Sequence, residues 1–155
     1  AGFLALHELG VAETDLLPFH AGLQAGAEAV MMAHVVYPEV APDPAGFSSY
    51  WIGSVLRRQF GFNGVVFSDD IGMAAAEAAG GIKTRIQRHL SAGCDVVLAC
   101  PPSCVADALE AMPDVDYDVA KLDILRTKSP AGWGRLVSEQ RYLSALEAMH
   151  ALEKS

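Results

Sequence analysis

The stretch "GFNGVVFSDDIGMAAA", Gly61 to Ala76, decides how this chain is read. A short apolar run, Val65-Val66-Phe67, ends in Ser68-Asp69-Asp70, and small helix-forming residues follow. Gly64 to Phe67 reads as a strand buried on both faces, with Gly61 closing the helix before it. A strand that passes through polar residues straight into a helix predicts one unit of a parallel α/β sheet. Two more apolar runs fit the same plan. Ala29 to Val36, unbroken except for His34, predicts an earlier strand, and "DVVLAC", Asp95 to Cys100, a later one.

Helices are expected between and after the strands. Pro18 suits a first turn, with Phe19, Leu23 and Ala27 recurring at a spacing of four. Ser48 or Ser49 caps a helix whose apolar face is Trp51, Ile52, Val55, Leu56 and Phe60. Met73 to Ala79 reads as a further helix, broken at Gly80-Gly81. Ile82, Ile86 and Leu90 mark the next, which Gly93 terminates. Lys83, Arg85, Arg88 and His89 are read as its polar face. Pro101-Pro102-Ser103 opens a helix through Met112. Asp114 to Asp118 is an acidic loop, Val119 to Thr127 a helix, and "KSPAGWGR" a breaker-rich connection. Glu139 to Glu153 is a long helix with Tyr142, Leu146, Met149 and Leu152 facing inward. Residues 1–17 carry no clear pattern, 18–112 hold the strand and helix units, and 113–155 form a helical region.

Three parallel strands are few for a closed (β/α)8 barrel, which needs about eight strands and about 250 residues. The chain has 155 residues and opens without Met. The expectation is α/β architecture, the C-terminal part of such a barrel, with open sheet edges that the remaining barrel strands or a second copy would cover.

Composition narrows the function. Apolar residues are 52% and charged residues 19%, which fits a globular chain, and the net charge of −8 speaks against a nucleic-acid face. No apolar run reaches membrane-spanning length, and no start resembles a signal peptide. Cys94, Cys100 and Cys104 form no C-x-x-C pair, so they read as buried thiols of a reducing, cytoplasmic compartment.

In parallel α/β structures the carboxyl ends of the strands face the ligand site. His34, the Asp69-Asp70 pair and Cys100 fall there. One carboxylate of the pair can cap the following helix. Adjacent residues leaving a strand point apart, so the other projects into the mouth of the sheet, where it can hold a metal, take a proton or attack an electrophilic carbon. Metal has the least support, because hard cations want several oxygen ligands and only Glu39 is near. His34 reads equally as a core histidine bonded to a backbone carbonyl. Met31, Met32 and Met73 read as packing residues, any of which can wall a sugar-sized pocket.

Val30 to Met73, with "AHVVYP" at Ala33–Pro38 and "FGFNGVVFSDDIGM" at Phe60–Met73, closely resembles the bacterial β-N-acetylhexosaminidases of glycoside hydrolase family 3. These are the cytoplasmic β-N-acetylglucosaminidases of cell-wall recycling. "AGCDVVLAC" resembles the family's last barrel strand. The resemblance implies a TIM-type barrel with its site at the C-terminal rim and a retaining exo-hydrolase acting on terminal GlcNAc of muropeptides. It places the catalytic nucleophile at Asp69, kept ionised by nearby donors. Ser68 and Asp70 would hold the turn, and Met32 and His34 would line the sugar subsite. No metal, cofactor, nucleic acid or membrane is implied.

The family's Asp–His acid/base loop and its "KHFPGHG"-type segment have no counterpart in these 155 residues, and Asp15 and His20 match neither. The chain alone is therefore expected to be inactive. Two other readings stand beside the hydrolase. One is a non-catalytic half-barrel that binds a partner. The other is a Mg-dependent phosphotransfer site on Asp69 and Asp70, which lacks an accompanying phosphate-cradling glycine loop.

Overall fold

A computed structural model describes residues 14–112, 119–126 and 133–152. The predicted acidic loop at Asp114 to Asp118 and most of the unpatterned start lie outside these residues. The chain divides into two compact units, one ending at Leu125 and one beginning at Arg126.

The first unit is built on three parallel strands in the order β1 (Ala29–Met32), β2 (Val65–Asp70) and β3 (Val96–Leu98). α1 (Leu17–Gln24) precedes β1, and α2 (Tyr50–Gln59) links β1 to β2. α2 is wound wide, with i→i+5 bonding that ends where Phe60 N–H donates to Val55 O at 3.0 Å. α3 (Ala74–Glu77) and α4 (Ile82–Ala92) link β2 to β3, and α5 (Pro102–Ala111) follows. A 3-10 turn, Val119–Leu125, closes the unit. The predicted strand and helix units are all present, with different bounds.

Those differences have physical causes. The first strand stops at Met32 instead of running to Val36. Beyond it, Ala33 O and Val35 O accept from Gly46 and Ala45 N–H at 3.0 and 2.9 Å, so a 3-10 turn at Ala45–Phe47 takes over the pairing. β1 is also half exposed rather than buried on both faces, because it is an outer strand of this sheet; Met31 is 56% exposed. β2 runs three residues longer than expected, to Asp70, because Asp70 still pairs with Leu98. The helix expected from Met73 to Ala79 shrinks to four residues, with Met73 extended and 44% exposed. Met31 and Met73 are therefore not core residues.

Three apolar clusters hold the described residues of the unit together, one of them formed by Ala41, Ala45, Trp51 and Val55. Ile52 and Leu56 of α2 meet Phe62, Val66, Ala92 and Cys94 on one side of the sheet. Ile71, Ile86 and Ala111 gather with Ile82, Leu90 and Val97 to seat α4 and α5. At the amino end of the sheet, Asp95 accepts from Val66 N–H at 2.8 Å, Arg57 at 2.7 Å and Lys121 at 2.6 Å. Arg57 also donates to Phe62 O and Gly64 O. An apolar groove of about 470 Å³, lined by Phe19, Leu23, Met31, Tyr37, Trp51 and Phe60 among others, runs beside the open edge of β1.

The second unit contains α6 (Trp133–Leu136) and α7 (Gln140–Leu152), with an Arg135–Glu139 ion pair. Leu146 and Met149 were expected to face inward, yet both are exposed. A unit this small offers little apolar surface to cover a full helix stripe.

Candidate active site

The site forms at the carboxyl end of β2. Between Phe67 and Asp70 the strand makes three steps while β3 makes two, Val96 to Leu98, so one extra residue is bulged out at Ser68-Asp69. A bulge re-aims side chains locally, and Asp69 sits at it. Ser68 is fully buried: its hydroxyl donates to Asp69 O at 2.6 Å and accepts from Leu98 N–H at 2.9 Å. The bulge is thus stitched to β3 by a side chain instead of a backbone carbonyl.

Asp70 does not cap a helix, as one carboxylate of the pair was expected to. Its Oδ1 accepts from Gly72 N–H and Cys100 N–H, both at 3.0 Å, tying the turn after β2 to the end of β3. The Cys100 amide foremost, with Gly72 assisting, holds the Asp70 carboxyl below the usual range. Asp69 Oδ1 accepts from Asp70 N–H at 2.8 Å, and its other oxygen has no hydrogen bond among the described residues. Arg85 of α4 braces the turn from outside, donating to Ile71 O at 2.7 Å and Gly80 O at 2.6 Å. Gly72 is needed there, since a Cβ would meet the Pro101 ring at 2.5 Å.

His34 lies just beyond β1 and is buried. Its Nε2 is 2.9 Å from His89 Nε2, and its Nδ1 is buried without a partner among the described residues. It does not bond a backbone carbonyl; that role belongs to His89, whose Nδ1 is 2.8 Å from Gly46 O. Phe47 stacks on His34, with centroids 5.3 Å apart, and packs tilted against His89 at 4.2 Å. Burial lowers the His34 pKa against the opposing pull of Asp69 and Asp70, and burial pushes His89 down to about 4. Cys94, beside His89, is pushed up to about 12 by burial and stays a thiol.

His89 was assigned to a polar helix face, yet it is fully buried. Its position was legible: it stands three residues after Ile86 and beside Leu90, on the apolar stripe of α4. Gly46 and Arg85 had no such signal, since both act through distant backbone contacts. Met32 is half-buried and packs against Ile52, Leu56 and their neighbours. Glu39 stays in an exposed loop. Cys100 is exposed rather than buried and contributes its amide. Among the described residues no three His, Cys, Asp or Glu side chains converge as a metal site. No helix of the described residues is long and apolar enough to cross a membrane.

A carboxylate with a free oxygen, held at the carboxyl rim of a parallel sheet, is the arrangement of a nucleophile or base in α/β hydrolytic enzymes. Residues 6–127 match the glycosyl hydrolase family 3 N-terminal domain, and the chain belongs to that family. It is 55% identical over 128 residues to a beta-hexosaminidase of Stenotrophomonas maltophilia, covering 83% of this chain and 38% of that protein. A beta-hexosaminidase of Xanthomonas campestris is 56% identical over 125 residues, 81% of this chain and 38% of its own length. The chain thus spans well under half of these relatives.

Among solved structures, NagZ from Neisseria gonorrhoeae in complex with N-trifluoroacetyl-D-glucosamine superposes with a TM-score of 0.72 at 34% identity, covering 91% of this chain and 40% of that one. NagZ from the same organism in complex with zinc ion gives 0.72 at 32% identity, covering 88% and 40%. The fold is three parallel strands with helices, shared with this barrel-like domain.

Proposed function

We propose that this chain supplies the nucleophile-bearing part of a retaining β-N-acetylglucosaminidase. The observation that carries the reading is the bulged end of β2, where Ser68 and Asp70 fix the backbone and one Asp69 carboxylate oxygen has no hydrogen bond among the described residues. The beta-hexosaminidase relatives, and the glucosamine derivative bound by the gonococcal structure, support a GlcNAc substrate. In the proposed cycle, Asp69 attacks the anomeric carbon as the bond to the leaving oxygen breaks. A general acid protonates that oxygen. Water, deprotonated by the same group, then displaces Asp69 and releases the sugar with retained configuration. His34 and Met32 line the sugar subsite in this reading, and Ser68 and Asp70 orient the nucleophile. The substrates would be muropeptides of cell-wall recycling, and the setting cytoplasmic.

The acid/base group has no counterpart among these 155 residues. That group would then come from further barrel strands that complete the open β1 edge and its apolar groove. The chain by itself then turns over no substrate. The test is hydrolysis of an aryl β-N-acetylglucosaminide by the 155-residue chain and by a version extended to the length of its relatives. Activity is expected only in the extended protein. Asp69→Asn should abolish it, and Asp70→Asn should reduce it less. Full turnover by extended Asp69→Asn would overturn the nucleophile assignment. Metal-dependent turnover would point to the phosphotransfer-like reading instead.

A further inference from the structure

The two buried histidines form a directed chain. Gly46 O can only accept, so the 2.8 Å contact requires a proton on His89 Nδ1. A neutral His89 then has a bare Nε2. The 2.9 Å contact between the two Nε2 atoms needs one proton, which must come from His34. A neutral His34 with its proton on Nε2 has a bare Nδ1, which among the described residues is the one buried imidazole nitrogen with no partner. The opposite arrangement would set two lone pairs, of His89 Nδ1 and Gly46 O, against each other.

We propose that His89 is a positioning residue: with Gly46 it locks His34 into a single tautomer and presents His34 Nδ1 as an acceptor for an N–H or O–H donor of the sugar. The sugar's place as donor rests on the function proposed above; the tautomer lock does not. The surroundings are consistent with it. Asp69 and Asp70 face His34 from β2, Arg85 and His89 from α4; Arg88 and Asp69 act on His89. Phe47 covers both rings. The approach is tight by construction, since a Cβ on Gly46 would lie 2.8 Å from His89 Cε1 and 3.1 Å from Met32 O.

The test is long-range ¹⁵N NMR of the imidazoles in the 155-residue chain near neutral pH. Expected are a proton on Nε2 of His34 and on Nδ1 of His89. The reverse assignment for either ring in the unmutated protein overturns the lock without any variant. His89→Phe should release His34 into a mixture of tautomers. His89→Gln, whose amide oxygen can accept from His34 Nε2–H, should restore the single form. Gly46→Ala, which displaces His89 but keeps both rings, should also give the mixture. A single Nε2–H tautomer persisting in both His89→Phe and Gly46→Ala overturns His89 as its cause. Titration with N-acetylglucosamine of the version extended to the length of its relatives should shift His34 Nδ1, with and without His89→Gln. No shift overturns the acceptor role. These readouts need no turnover, so an active Asp69→Asn enzyme would overturn the nucleophile assignment and leave the lock standing.

Discussion

Asp70 reaches across the sheet to Cys100, its Oδ1 taking the Cys100 amide at 3.0 Å while also taking that of Gly72. One oxygen therefore closes the turn after β2 and anchors the end of β3. Asp70→Ala leaves both amides without that acceptor and should lower stability by about 1–2 kcal/mol. Asp70→Asn keeps a carbonyl oxygen in place and should cost less than half as much. Urea denaturation of the three proteins measures this; equal losses for Ala and Asn would show that charge, not the acceptor, matters.

Acid should weaken the fold through His89. Its folded pKa is about 4, against an ordinary 6.5, because burial disfavours the charged ring. Between those values the unfolded chain binds a proton that the folded chain refuses. The resulting stability is complete above pH 6.5 and is lost as pH falls toward 4, roughly 3 kcal/mol in all. Burial of His34 acts in the same direction. Asp70, held low, adds a loss only below its ordinary value of 3.8. Urea midpoints from pH 7 to 4.5 should fall steeply in the unmutated chain and less in His89→Phe.

At the amino end of the sheet, Asp95→Ala should be among the costliest single changes. It strips partners from Arg57, Lys121 and the Val66 amide, and Arg57 and Asp95 are both mostly shielded. Losing one member of such a cluster costs on the order of 2–4 kcal/mol. Lys121→Ala, which removes one more exposed contact, should cost about 1 kcal/mol or less. Thermal melts rank the two, and an equal loss would show that Lys121 carries the cluster.

Gly64 and Gly81 should respond unequally to Ala. A Cβ on Gly64 would run into Glu28 O and the Phe62 ring, next to the bond from Val65 N–H to Glu28 O. The expected cost is about 1–3 kcal/mol. Gly81 has open space and a φ of −67°, so Ala there should be neutral within about 0.5 kcal/mol. Denaturation midpoints decide it.

Much of this architecture was legible in the sequence because strand and helix periods and glycine stops are local signals. Val65-Val66-Phe67, the Ile82-Ile86-Leu90 stripe and the Gly93 terminus needed only neighbours in the chain to be read. What escaped depended on partners far away. Ending the first strand at Met32 required Gly46 and Ala45 to claim the next carbonyls. Extending β2 to Asp70 required Leu98 opposite it. His89 was misplaced because its charge type outweighed its helical position. One carboxylate of the Asp69-Asp70 pair was expected to cap the following helix, yet Asp70 takes an amide thirty residues on, at Cys100.

The seam between β2 and β3 also works as a keyed lock. β3 is only three residues long and half-buried along its whole length, so its apolar pattern cannot specify its own alignment. Three side chains do so instead: Asp95 on the Val66 amide, Ser68 on that of Leu98, and Asp70 on that of Cys100. A slip by one residue would forfeit all three together. Two of those three teeth flank Asp69, so any change that lets β3 slide also disturbs the backbone that carries its carboxylate.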